Sequence, residues 1–161
     1  MSVTIEQNEQ EAHNFLKNHT VGVLATVDPN GEPHAAAIYY FADEDFTISF
    51  ITKTQTKKAD NLQHNNHAVL VVYEPASQTT VQITGTVSAV TELLEVNDIF
   101  RRVLNASLET SQTSVPPIAK LKEGDYIGFR LTPKQIRMAA FRHSESGEYA
   151  DLFKTFAPAD Q

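Results

Sequence analysis

The sequence predicts a mainly β (α+β) domain, a closed or partly split antiparallel β-barrel of about six strands with peripheral helices. Three observations carry this reading. Stretches of strand length, alternating or continuously apolar, recur along the chain. Turn-forming residues punctuate them in hairpin order. The helical patterns are short and lie between strands or ahead of the first one. A length of 161 residues fits a single domain spanning 1–161.

Taken in order, Thr4 followed by Gln7 reads as a capping box for a first helix ending near Asn18, with Ile5, Ala12, Phe15 and Leu16 on its apolar side. Val21 to Val27 alternates, with Val21, Val23, Ala25 and Val27 on one face and Leu24 and Thr26 on the other. Asp28-Pro29-Asn30-Gly31 then forms a turn, because Pro presets φ and Asn-Gly accepts positive φ. His34 to Phe41 returns as a strand, Asp43-Glu44-Asp45 turns again, and Phe46 to Thr52 completes a meander. Thr54 to His64 is helical, with Thr54 or Thr56 as its N-cap. Ala68 to Tyr73 is a buried strand stopped by Pro75, and Thr79 to Val90 is the longest strand, with a bulge or bend at Gly85. A helix follows over Thr91 to Leu104, then a polar loop over Asn105 to Ser114. Asp125 to Thr132 and Gln135 to Phe141 read as two closing strands joined at Pro133. The tail, 145–161, is expected to be flexible.

Composition narrows the function. The chain has no cysteine, which removes disulfides, thiolate metal sites and a cysteine nucleophile. Its net charge is -7, from 13 basic and 20 acidic residues, so its surface repels nucleic acid and anionic lipid. No apolar run reaches membrane-spanning length, and the opening residues lack the pattern of a signal peptide, so a cytoplasmic protein is expected. His64 and His67 are three apart, but Asn65-Asn66 ends the helix between them, and no metal site is expected.

Positive charge concentrates once, in Phe50-Ile51-Thr52-Lys53-Thr54-Gln55-Thr56-Lys57-Lys58, where a strand runs into a helix. A helix N-terminus offers unpaired N–H groups and a positive partial charge, hydroxyls donate to phosphate oxygens, and lysine supplies a point charge. Read locally, the same residues also suit a capped helix with solvated lysines. Upstream, Ala35, Ala36 and Ala37 are consecutive small residues in a strand, which suits close approach of a flat ligand or tight packing against a neighbouring element.

Several blocks in sequence order carry a wider resemblance: Ala25-Thr26-Val27 with Gly31-Glu32-Pro33-His34, then Tyr40, then Thr52 to Lys58 followed by Leu62. Ala68-Val69-Leu70-Val71 and Gly85 complete the set. On these the chain resembles the pyridoxamine 5′-phosphate oxidase-like family of FMN-binding split barrels, and within it the general-stress-protein and uncharacterised branches. The resemblance implies FMN as cofactor, with a deazaflavin coenzyme or haem as alternatives. It implies a homodimer with the flavin at the interface. It places the ring along Ala36, Ala37, Ile38, Tyr39 and Tyr40, sets Thr52 near ring and ribityl chain, and assigns the phosphate to Thr56, Lys57 and Lys58, with Thr54 beside them and Thr80 as a ring contact on the long strand. The true oxidases carry Arg and Lys along the second strand where this chain has Ala36 and Phe41, and Arg137 and Arg142 compare only loosely with their C-terminal substrate motif. Vitamin oxidation is therefore not implied. What remains is an FMN-dependent oxidoreductase with an unidentified small-molecule substrate, a non-catalytic binder or sensor, or a structural dimer with a decayed site. No side chain is singled out as catalytic.

Overall fold

The leading segments form the expected elements, though the apolar alternation in the first strand does not face the core. Helix α1 (Ser2–Asn18) is followed by strands β1 (Val21–Val27), β2 (Pro33–Ala42) and β3 (Ile48–Lys53). The computed structural model describes residues 2–110, 117–122, 124–141 and 153–158. The β1–β2 turn is fixed by Asp28, whose Oδ1 accepts from the amides of Asn30 (2.8 Å) and Glu32 (2.9 Å), while Gly31 takes a φ of 83°. On β1 it is Leu24 and Thr26 that point inward, at 0% and 1% exposure. Val21 and Val23 face outward, 44% and 45% exposed.

Helix α2 (Lys57–His64), strands β4 (His67–Glu74) and β5 (Thr79–Val90), and helix α3 (Leu93–Thr110) follow. A short 3-10 helix (Pro117–Lys120), strand β6 (Tyr126–Ala140) and strand β7 (Phe153–Phe156) complete the described chain. The strands run in the order β3-β2-β1-β4-β5-β6-β7, and β3 also pairs with β6. That extra pairing, Ile48 with Leu131 through Lys53 with Tyr126, closes the first six strands into an antiparallel barrel, with β7 added outside β6.

Three sequence expectations are corrected. The first helix already runs from Ser2, so Thr4 lies within its first turn and not before it. The second is the closing pair of strands: they are one continuous strand, β6, passing through Pro133. Proline interrupts a ladder because it has no N–H to donate. Here the register shifts between Thr84 and Gly85: Gln135 faces Thr84, Pro133 faces Gly85, and Lys134 is the extra residue of a bulge. The third is helix α3, which continues past Leu104 to Thr110 because its buried stripe, Val96, Ile99 and Val103, continues to Ser107. The buried Ser107 hydroxyl donates to the Leu104 carbonyl at 2.8 Å, so this polar residue stays satisfied inside the helix. Residues 111–114 of the expected polar loop lie outside the described residues. Within the tail, Phe153–Phe156 pairs with Ile136 to Ala139 as β7. Positions 145–152 and 159–161 also lie outside the described residues.

Two apolar clusters result. The barrel interior is filled by Leu24, Tyr40, Ile48, Phe50, Leu70 and Phe129 with their neighbours, and α1 closes one side with Ala12 and Leu16. The Tyr40 hydroxyl sits between the carbonyls of Leu16 and His19, and burial pushes its pKa well above the ordinary phenol value. The second cluster lies outside the barrel wall, where α3 and the 3-10 helix cover Ile51 through Val96, Ile99, Val103 and Ile118. Every β3 residue before Lys53 is therefore buried. Among the described residues no helix is long and apolar enough to cross a membrane.

At the bulge the chains approach closely. A Cβ built on Gly85 would lie 2.0 Å from the Thr132 carbonyl oxygen, a backbone atom that cannot swing aside. Gly85→Ala is expected to destabilise the protein by about 3 kcal/mol or more, at the upper end of overpacking effects, read as a lowered midpoint in urea unfolding. A loss under about 0.5 kcal/mol would show that the strands separate easily there.

Candidate functional site

The junction between β3 and α2 is built by threonines. Thr56 is the N-cap: its backbone is extended (φ −122°, ψ 151°) and its hydroxyl accepts from the Ala59 amide at 3.3 Å. The same hydroxyl donates to the Lys53 carbonyl at 3.0 Å, and the Thr52 hydroxyl lies 3.3 Å from it. With the Thr56 proton engaged on Lys53, the contact is satisfied by Thr52 donating. The first intrahelical bond runs from the Asp60 amide to the Thr56 carbonyl. The amides of Lys57 and Lys58 precede it and find no acceptor within the helix, so this end of α2 carries the free donors and positive partial charge that suit an anion.

A cavity of about 490 Å³ opens at this junction, within the usual range for small-molecule sites of roughly 300–1,000 Å³. Thr52, Thr56 and Lys58 line it at the helix end, with Lys53 beside them. Ala37, Ile38 and Tyr39 of β2 form one wall. Ile51 and the 3-10 segment, through Pro117, Ile118, Lys120 and Leu121, form another. Among the described residues, three lysines and no acidic residue line this space, on a chain whose net charge is -7. Half-burial of Lys58 holds its pKa below the ordinary lysine value, since desolvation penalises the charged form. An anion beside it would reverse that penalty.

The sequence-predicted site residues divide into those brought together here and those placed elsewhere. Ala37, Ile38, Tyr39, Thr52, Thr56 and Lys58 surround the cavity. Lys57 turns away from it to the β1–β2 hairpin, where its Nζ lies 3.4 Å from Asp28 Oδ2. The Glu32 amide first, then the Asn30 amide and Lys57, hold the Asp28 carboxyl below the usual carboxylate range. Thr54 is exposed and donates its backbone N–H to the Asp125 carbonyl at 3.1 Å. Ala36 sits opposite the fully buried Leu24, on the other face of β2 from Ala37 and Tyr39. Tyr40 belongs to the core. Thr80 is on β5, paired with Tyr73 and Ala139, apart from the cavity.

Sequence reasoning did not name Lys53, Lys120, Ile118 or Leu121 as site residues. The period of two along β3 sets Lys53 on the same face as Ile51, a signal that was present. Lys120 and its neighbours carry no local signal, because the β3–β6 pairing alone brings them to the junction.

The outer wall of the barrel beside the cavity is apolar. Val21 pairs with Tyr39, Val23 with Ala37 and Val71, and Ala25 with Ala35 and Val69. Ala37 and Tyr39 thus belong both to this face and to the cavity.

Comparison with known proteins agrees with this architecture. A protein related to general stress protein 26 of B. subtilis, from Clostridium acetobutylicum, superposes with a TM-score of 0.70 at 14% identity, covering 94% of this chain and 95% of that one. A pyridoxamine 5′-phosphate oxidase-related, FMN-binding protein from Nostoc punctiforme gives 0.62 at 17% identity over 96% and 94%. A heme binding protein from Mycobacterium smegmatis gives 0.69 at 16% identity, covering 93% of this chain but 57% of that protein. In sequence, a pyridoxine/pyridoxamine 5′-phosphate oxidase of Pseudomonas putida (strain W619) is 35% identical over 68 residues, which is 42% of this chain and 32% of that enzyme. The structural likenesses establish the fold. The model of the family described as pyridoxamine 5′-phosphate oxidase matches residues 9–139, and the chain therefore belongs to that family.

Proposed function

We propose that this protein binds FMN in the cavity between β2, β3, α2 and the 3-10 helix, and that it is a dimeric FMN-dependent oxidoreductase acting on a small molecule. One observation carries the reading: the cavity joins an anion-binding end to an apolar end. The phosphate is assigned to the amides of Lys57 and Lys58 and the Lys58 and Lys53 ammonium groups, with the Thr52 hydroxyl, which donates to Thr56, bracing the helix cap beside them. The ring is assigned to the wall of Ala37, Ile38 and Tyr39, facing Ile51, Ile118 and Leu121. When bound, the flavin supplies the hydride and electron chemistry. The chain's own residues orient it and exclude water from one side. Haem is the second reading, suggested by the Mycobacterium smegmatis protein. The lining favours flavin, because among the described residues it contains no histidine, methionine or cysteine, and Tyr39 is the single described side chain there of a kind that ligates haem iron.

The assignment separates the two adjacent lysines. Charge-assisted hydrogen bonds contribute roughly 1.5–3 kcal/mol each, so Lys58→Ala is expected to weaken FMN binding about ten- to a hundredfold. Lys57→Ala, whose ammonium faces Asp28, is expected to change it less than about threefold. Quenching of flavin fluorescence measures both, and equal losses would overturn the placement.

The pH dependence follows with a definite sign. Charged Lys58 is the form that holds phosphate, and its pKa is lowered in the folded protein. FMN affinity should therefore fall as pH rises through that lowered value, earlier than an ordinary lysine would titrate. The phosphate itself, with a second pKa of about 6, is already ionised there. Lys58→Arg should move the fall to higher pH. Riboflavin, which lacks the phosphate, serves as the control for titration of the ring.

The apolar outer face of β1, β2 and β4 supports a twofold dimer that brings a second chain against each cavity, since a self-complementary patch is the commonest solution for such a face. Val23→Glu is expected to give a monomer by sedimentation, with FMN affinity reduced alongside. A wild-type monomer at micromolar concentration with FMN bound would refute the dimer.

A further inference from the structure

Helix α2 brings the proposed phosphate site to the barrel, so whatever fixes its pose fixes the site. Ala59 and Leu62 anchor it through apolar packing, which has no strong rotational preference. Asn61, on the same buried side, is different. It is 1% exposed, and its Nδ2 donates to the Thr26 hydroxyl at 3.0 Å. Thr26 is also 1% exposed, on the inner face of β1. Its hydroxyl contacts the carbonyl of His34, its register partner on β2, at 3.5 Å. Two further buried atoms in this cluster have no partner among the described residues: Asn61 Oδ1, an acceptor, and His34 Nδ1, which in one tautomer is a donor.

A buried helical asparagine whose amide oxygen finds no partner among the described residues is an expensive way to hold a helix. A leucine would pack as well if only stability were needed. What the amide adds is direction, because a hydrogen bond 3.0 Å long admits a narrow range of helix rotation. Asn61 lies one helical turn beyond Lys57 and Lys58, so rotating it redirects their amides and the Lys58 side chain.

We propose that Asn61 is a positioning residue for the phosphate end of the cavity: through Thr26 it locks the rotation of α2 against the β1–β2 hairpin. It touches no ligand. The inference rests on the phosphate assignment above, and deepens it.

The test compares FMN with riboflavin. In the wild type, FMN is expected to bind more tightly than riboflavin by about the phosphate contribution, tenfold or more. Asn61→Ala and Thr26→Val should lose most of that preference, with riboflavin affinity within about twofold of wild type. Thr26→Ser keeps the hydroxyl and should restore it. Because Thr26→Val is nearly isosteric, it remains informative if Asn61→Ala does not fold. Retained FMN preference in Thr26→Val, or an equal loss of both ligands that Thr26→Ser does not repair, would overturn the positioning role. A wild type that binds the two ligands equally would instead overturn the phosphate assignment, and the positioning role with it.

Discussion

The pairing of β3 with β6 is the interaction on which the site depends. Six antiparallel rungs join Ile48–Lys53 to Tyr126–Leu131. They remove two exposed sheet edges at once. They also bring a segment more than sixty residues downstream to the end of β3, where α2 begins. Without that closure the N-terminus of α2 would be a solvated helix end with lysines around it. With it, Ile118, Lys120 and Leu121 form a wall, and the helix end becomes the polar part of a cavity.

Much of this was legible in the sequence, and the reasons for the rest are physical. The meander, the long β5 with its irregularity at Gly85 and the threonine cap of α2 all follow from local rules of alternation, turn chemistry and capping. The continuity of β6 does not. Pro133 is a local stop signal, and only the bulge on the facing strand makes it acceptable there. The length of α3 was hidden because Ser107 reads as polar, yet it is satisfied by its own helix. On β1 the larger apolar set, Val21, Val23 and Ala25, faces outward, a reminder that a barrel with an apolar exterior gives two hydrophobic faces and no sign of which is the core.

At the site, a run of consecutive residues was named where the structure alternates. Ala36 and Tyr40 lie on the inner face of β2, whereas Ala37 and Tyr39 lie on the outer face. Adjacent Lys57 and Lys58 likewise diverge, since successive helical residues point about a hundred degrees apart. One meets Asp28, and the other meets the cavity. Which member of each pair lines the cavity is fixed by geometry that a motif does not encode.

The same closing strand has a consequence for synthesis. β6 pairs with β5, β3 and β7, and among the described strands it follows β1 to β5 in the chain. As the chain leaves the ribosome, the first five strands can form a sheet with β3 and β5 at its open margins, but no barrel exists until residues near 131 have emerged. Contacts between such distant segments are slow to form, because a long loop must be ordered before any reward is gained. Until β6 pairs with β3, the segment carrying Ile118, Lys120 and Leu121 has no fixed place beside the end of β3.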